Sequence, residues 1–254
     1  GVFFTSLVSG QLVLAFLFAI YVIPHFGGGG GFAMLAITGL IAAALATKLP
    51  KRYAHLQPGQ SIEGAPPPLG WAALAATLLY TAPAAAVGVY LQPLAHQAGL
   101  SADVARTTIW LSLAAQVVGG SIATAIAGRV HYLTVFSFSA VSLLLVWAMM
   151  DFQPPAFLFI AANAWGGLVT VLYGPFLVPL TIEADPSRRA AMQSASVQVV
   201  AGALGPLGVS MIVSQRNVHG ALWLGGALLI IGLAMLVGVY FASAQNRKQS
   251  HAIT

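Results

Sequence analysis

NAWGGLVTVLYGPFLVPLTIEADPSRRAAMQSASVQVVAGALGPLGVSMIV, residues 163–213, decides the fold. Two apolar segments flank a turn holding Glu183, Asp185, Arg188 and Arg189. Each flanking segment runs free of formal charge for the roughly 20 residues that a helix needs to cross a bilayer. A helix of a soluble protein would turn a charged face to water, and neither segment has one. The stretch reads as a transmembrane hairpin whose charged turn lies in water.

Composition extends this reading to the whole chain. Hydrophobic residues make up 59% of the 254 residues and charged residues 6%, with mean hydropathy +0.89. Globular domains carry about 25% charged residues, so lipid must solvate most of this exterior. There is no cysteine, which excludes disulfides, thiolate catalysis and cysteine-based zinc sites. The net charge of +5 is spread over loops and forms no basic stripe, so no nucleic-acid partner is expected. The chain opens GVFFTSLVSGQL without an initiator Met or a basic segment. The expectation is no signal peptide and a start inside a longer protein.

Outward from the hairpin, charge-free runs give about eight crossings: an all-α, polytopic membrane helical bundle. The spans are expected near Val2–Ile23, Phe32–Thr47, Trp71–Leu94, Val104–Ala127, Leu133–Met150, Ala156–Leu180, Ala190–Ser214 and Ala221–Phe241. Pro24, His25 and the run Gly27–Gly31 separate the first two, and the second is short unless glycines join it. Residues 48–70, with Pro66–Pro68, form a polar linker between bundles. The expected organisation is therefore the last two spans of one bundle (1–47), a linker (48–70), a six-helix bundle (71–241) and a polar tail (242–254). Lys48, Lys51, Arg52, Arg129, Arg188, Arg189, Arg247 and Lys248 follow even-numbered spans, and only Arg106 and Arg216 lie on the other side. By the positive-inside rule the linker, the hairpin turn and both ends are cytoplasmic.

Polar and small residues fall on helical stripes in the third, fourth, sixth and seventh spans. The stripes are Thr81, Gly88 and Gln92; Ser112, Gln116 and Gly119; Asn163, Gly167, Thr170 and Gly174; and Ser194, Gln198, Gly202 and Gly205. The second, fifth and eighth spans lack them and are expected to face lipid. Small residues at this spacing ordinarily serve close helix packing, which is the first reading for the glycines. Amides are costly in hydrocarbon, so Gln92, Gln116, Asn163 and Gln198 are the candidate lining of an aqueous substrate cavity. Tyr80 and Tyr173 are its candidate aromatic walls. Tyr90, Trp110 and Trp165 serve equally as ligand-stacking or interfacial aromatics.

These residues resemble the C-terminal two-thirds of a major facilitator superfamily transporter. The eight spans then match the family's fifth to twelfth, and residues 48–70 its central cytoplasmic loop. IAGRV (Ile126–Val130) resembles the second copy of the family's cytoplasmic Leu-Ala-Asp-Arg motif, with Gly128 in place of the acid. EADPSRRAA (Glu183–Ala191) resembles the turn between the tenth and eleventh helices. Gly202, Gly205, Pro206 and Gly208 are similar to the family's antiporter motif, on a different helix. The resemblance implies a secondary active transporter in the bacterial inner membrane, working by alternating access, with a coupling proton as an open partner. Arg129, Glu183, Asp185, Arg188 and Arg189 are its expected gating residues. No charge lies mid-span, so a small neutral or amphipathic solute is expected, with no cofactor or metal. The alternatives are a membrane-embedded enzyme and a non-transporting receptor or structural protein. No HExxH, GxSxG or P-loop is present, and the six histidines sit at or near loops, so no enzyme activity is expected.

Overall fold

A computed structural model describes residues 21–48, 64–214 and 217–253, together with residues 9, 10, 13, 14 and 17. The chain divides into two compact units, Ser9–Ile62 and a larger one containing Glu63–Thr254. In the smaller unit the helical stretch α1, Ile23–Ala46, is two helices meeting at a kink within the glycine stretch, at Gly27 (φ 66°, ψ −175°). The glycines thus join the second expected span and lengthen it. Most of the first expected span, and residues 49–63 with Lys51 and Arg52, lie outside the described residues.

The larger unit holds α2 (Pro68–Val89), α3 (Leu91–Gln97), α4 (Ala102–Ile126), α5 (Tyr132–Asp151), α6 (Ala156–Leu172), α7 (Leu177–Ala184), α8 (Arg189–Ser210) and α9 (Gly220–Ile253). Among the described residues there is no β-strand, only an isolated bridge between Ser214 and Asn217. Five stretches are long and apolar enough to cross a membrane: Pro68–Val89, Ala102–Ile126, Tyr132–Asp151, Ala156–Ala184 and Gly220–Asn246. The 22 residues of α2 rise about 33 Å, against roughly 30 Å of hydrocarbon. The chain is an integral, all-helical membrane protein. α8 has the length to cross but not the same apolarity, because Gln193, Ser194, Ser196 and Gln198 crowd its first turns.

Helix starts follow local chemistry. Pro68 opens α2 after an extended Pro67, where a missing N–H costs nothing. Ser101 caps α4 by accepting from Val104 N–H at 3.4 Å, and the His131 ring nitrogen accepts from Leu133 N–H at the start of α5. After α4 the chain reverses at Gly128, whose φ of +76° lies in the left-handed region that glycine enters freely. That backbone need accounts for a glycine at this position.

Packing pairs α4 with α6 and α2 with α8, while α9 covers α2 and α5 bridges α6 and α9. Glycines set three of these contacts. A Cβ on Gly167 would stand 2.5 Å from the Ser112 carbonyl, and one on Gly119 would overlap the Leu168 backbone, so α4 and α6 touch backbone to backbone. Gly205 meets Ala82 in the same way between α8 and α2, and a Cβ at Gly232 of α9 would stand 2.7 Å from Tyr80 N. Without a hydrophobic drive between helices in lipid, such close approach is a main source of association. The small-residue stripes on α4, α6 and α8 are therefore largely packing seams.

The sixth expected span is not one helix. α6 ends at Leu172, Gly174–Phe176 form a 3-10 turn, and α7 resumes at Leu177. Pro175 has no N–H and its ring clashes with the carbonyl four residues back, which breaks the helix there. Pro83, by contrast, sits inside the uninterrupted α2.

Candidate functional site

The aromatic residues expected to wall a cavity form the joint of the bundle. Tyr80 is fully buried and its hydroxyl donates to the Phe136 carbonyl at 2.7 Å. Its ring meets Tyr173 edge-on at 4.9 Å and Phe136 at 5.3 Å. One phenol thus ties α2 to α5 and to the break after α6. A buried Tyr needs a partner for its O–H, and the carbonyl of Phe136 supplies it.

The four amides are placed differently from one another. Asn163 is buried and its Nδ2 donates to the Phe159 carbonyl one turn back, at 2.8 Å. Gln198 is half-buried and its Nε2 reaches the Ser194 carbonyl at 3.4 Å. The Ser194 hydroxyl one turn back is buried and, among the described residues, has no hydrogen-bond partner. Gln116 is half-buried on α4, and Gln92 is exposed on the short α3. Gln92 borders a cavity of about 300 Å³ with Pro93, His96 and Ser101. The larger cavities of about 490 and 400 Å³ contain none of the other three amides. Asn163 and Gln198 each donate to the carbonyl one turn back on their own helix.

The charged residues come together more closely. A cavity of about 400 Å³ lies between the α4–α5 connection and the helix broken at Pro175, with Arg129, His131, Tyr132 and Glu183 on its walls. Glu183, half-buried, accepts a hydrogen bond from the Tyr132 hydroxyl at 2.6 Å. The His131 ring stacks on Tyr132 at 4.5 Å and meets Tyr240 edge-on at 5.4 Å. Arg129 is exposed at the rim. The site thus offers one carboxylate, one phenol, one imidazole and one guanidinium at one end of the bundle.

Asp185, Arg188 and Arg189 build the turn itself. Asp185 is 1% exposed. Its Oδ2 accepts from Ala190 N–H at 2.9 Å and its Oδ1 from Ser187 N–H at 3.0 Å and the Ser187 hydroxyl. Burial raises its pKa, but these bonds and one from the Arg189 backbone outweigh it, so the carboxyl is held below its ordinary 3.8. From three residues before the N-cap position, Arg188, it caps α8 at a distance by taking up the Ala190 N–H of the first turn. Arg188 is exposed and left-handed (φ 64°). Arg189 Nη1 donates to the Ala65 carbonyl at 3.2 Å, fastening the turn to the approach to α2.

Comparison with family models, curated proteins and solved structures gives no match.

Proposed function

We propose that the chain is the larger part of a secondary active transporter of the major facilitator type, carrying a small neutral or amphipathic solute by alternating access. The observation that carries the reading is the break in Ala156–Ala184 at Pro175, above a cavity walled by Arg129 and Glu183. Non-helical backbone at membrane depth is tolerated where it lines a cavity or is buried in protein, and transporters place substrate and ion sites at such breaks. The pairing of α2 with α8 and α4 with α6, backed by α5 and α9, supports the same reading. It leaves two small-residue seams as the surfaces across which helices rock.

In this proposal the eight crossings lie in a bacterial inner membrane, with the Glu183–Arg189 turn cytoplasmic. Gln92, Gln116, Asn163 and Gln198 contact the solute or its water in the open states, with Tyr80 and Tyr173 behind them. Arg129 and Glu183 draw together when the cytoplasmic side closes. A bias of about 1 kcal/mol from such a half-exposed pair suffices to shift a conformational balance severalfold. The test is uptake of a panel of neutral solutes into vesicles reconstituted with the full-length protein. Saturable uptake is expected, lowered by Asn163→Leu and Gln198→Leu at unchanged abundance. Normal uptake by both variants contradicts the site.

A further inference from the structure

At the end of the bundle opposite the charged turn, α5 and α9 enclose an open groove of about 490 Å³. Leu144, Trp147, Gly226 and Ile230 line its depth, and Asp151 and Trp223 stand at its mouth. Trp147 is a buried floor, whereas Trp223 and Ile230 are exposed. Both helices are among those long and apolar enough to cross the membrane, so the groove opens onto lipid and an acyl chain is the solvent molecule that fits it. Its volume lies in the range of small-ligand pockets, roughly 300–1,000 Å³.

The mouth carries a charge signal that an ordinary lipid-facing groove lacks. Asp151 is the one charged residue on the groove wall. It is half-buried, and among the described residues it has no ion-pair or hydrogen-bond partner. It also closes α5, where the helix already presents its negative end. Two negative sources meet at the membrane surface, and none of the described residues that line the groove is a cation.

We infer that the groove binds a phospholipid with an ethanolamine headgroup, its ammonium paired with Asp151 and one acyl chain laid between Trp147 and Ile230. A primary ammonium offers three hydrogen-bond donors to a carboxylate, which a choline group cannot. Among the described residues no basic one lines the groove to hold the phosphate of an anionic lipid. Trp223 at the mouth suits the headgroup level, where Trp is enriched. This site is independent of the transport reading, because it needs only that α5 and α9 face lipid.

The test is native mass spectrometry of the full-length protein with equimolar phosphatidylethanolamine, phosphatidylcholine and phosphatidylglycerol. The wild type is expected to retain phosphatidylethanolamine about fivefold over either competitor, the size of one partly exposed charge pair. Asp151→Asn should level that preference while Asp151→Glu keeps it. Gly226→Leu should cut the retained lipid, since a Cβ there already points to Leu144 at 3.5 Å. A second readout uses quenching in a protein whose only tryptophans are Trp147 and Trp223. Phosphatidylethanolamine brominated on its acyl chains should quench at a lower mole fraction than brominated phosphatidylglycerol. Equal retention of phosphatidylcholine or phosphatidylglycerol by the wild type, an undiminished preference in Asp151→Asn, or equal quenching overturns the inference.

Discussion

The Tyr132 hydroxyl donates to the Glu183 carboxylate at 2.6 Å, joining the first turn of α5 to the last turn of α7. Residues far apart in sequence thereby meet at the mouth of the cavity that also holds Arg129. A hydrogen bond to a charged acceptor contributes about 1.5–3 kcal/mol, at the lower end when water can compete. Tyr132→Phe should therefore lower stability by about 1.5 kcal/mol and move the balance of inward- and outward-facing labelling. Glu183→Lys should move that balance further by adding repulsion from Arg129. Thermal unfolding and cysteine labelling check the two effects separately, and an unmoved labelling balance in both variants reduces the contact to fold stability.

The Asp185 cap gives a pH dependence with a definite sign. Its folded pKa lies below 3.8, so the charged form is favoured by folding. Its stabilisation is fully present above the ordinary carboxylate value and is lost as pH falls through the lower folded value. Asp185→Ala should cost about 2 kcal/mol at neutral pH, and the gap from wild type should narrow in acid below pH 3.8. Unfolding midpoints across that range test this, and a gap that widens in acid contradicts the cap.

The packing seams separate two glycines on one helix. Gly205→Val places side chain against the Ala82 backbone of α2, whereas a Cβ at Gly202 meets nothing within 4 Å. The first variant should lose several kcal/mol or fail to assemble, in the manner of overpacking. Gly202→Ala should be neutral or slightly stabilising. Comparable losses in both would mean that α8 does not pack on α2 through this face.

Topology is tested by single cysteines at Ser187 and Gln153, both exposed, near opposite ends of the stretch Ala156–Ala184. They should label from opposite sides of the membrane, with Ser187 reached from the cytoplasm. Labelling from one side alone contradicts a crossing by that stretch.

Much of the helical plan was legible in the sequence because the absence of charge is a long-range signal. Expected spans such as Leu133–Met150 and Val104–Ala127 differ by one or two residues from α5 and α4, since charge-free runs stop where polar turns begin. The break at Pro175 was legible only as a proline, and Pro83 shows why that sign is ambiguous: one proline breaks a span and the other does not. The glycine seams were readable as stripes, but which helix each stripe meets depends on tertiary pairing that no local pattern encodes. For the same reason Tyr80 and Tyr173 read as cavity walls, while the Phe136 carbonyl that takes up the Tyr80 hydroxyl makes that pair a joint. A lone acid at a helix end, such as Asp151, has no sequence signature until a groove is seen beside it.

The most direct test of alternating access needs no knowledge of the solute. These 254 residues hold no cysteine, so a cysteine replacing Gln198, half-buried on α8, gives a clean reporter within the seventh expected span once any cysteine elsewhere in the full-length protein is replaced by serine. In the full-length protein, a membrane-impermeant maleimide added to sealed vesicles of known orientation should react with it from each side in turn. Charge reversal at Glu183 should change the ratio of the two rates. Reaction from one side only, or from neither with the protein folded and inserted, contradicts the account.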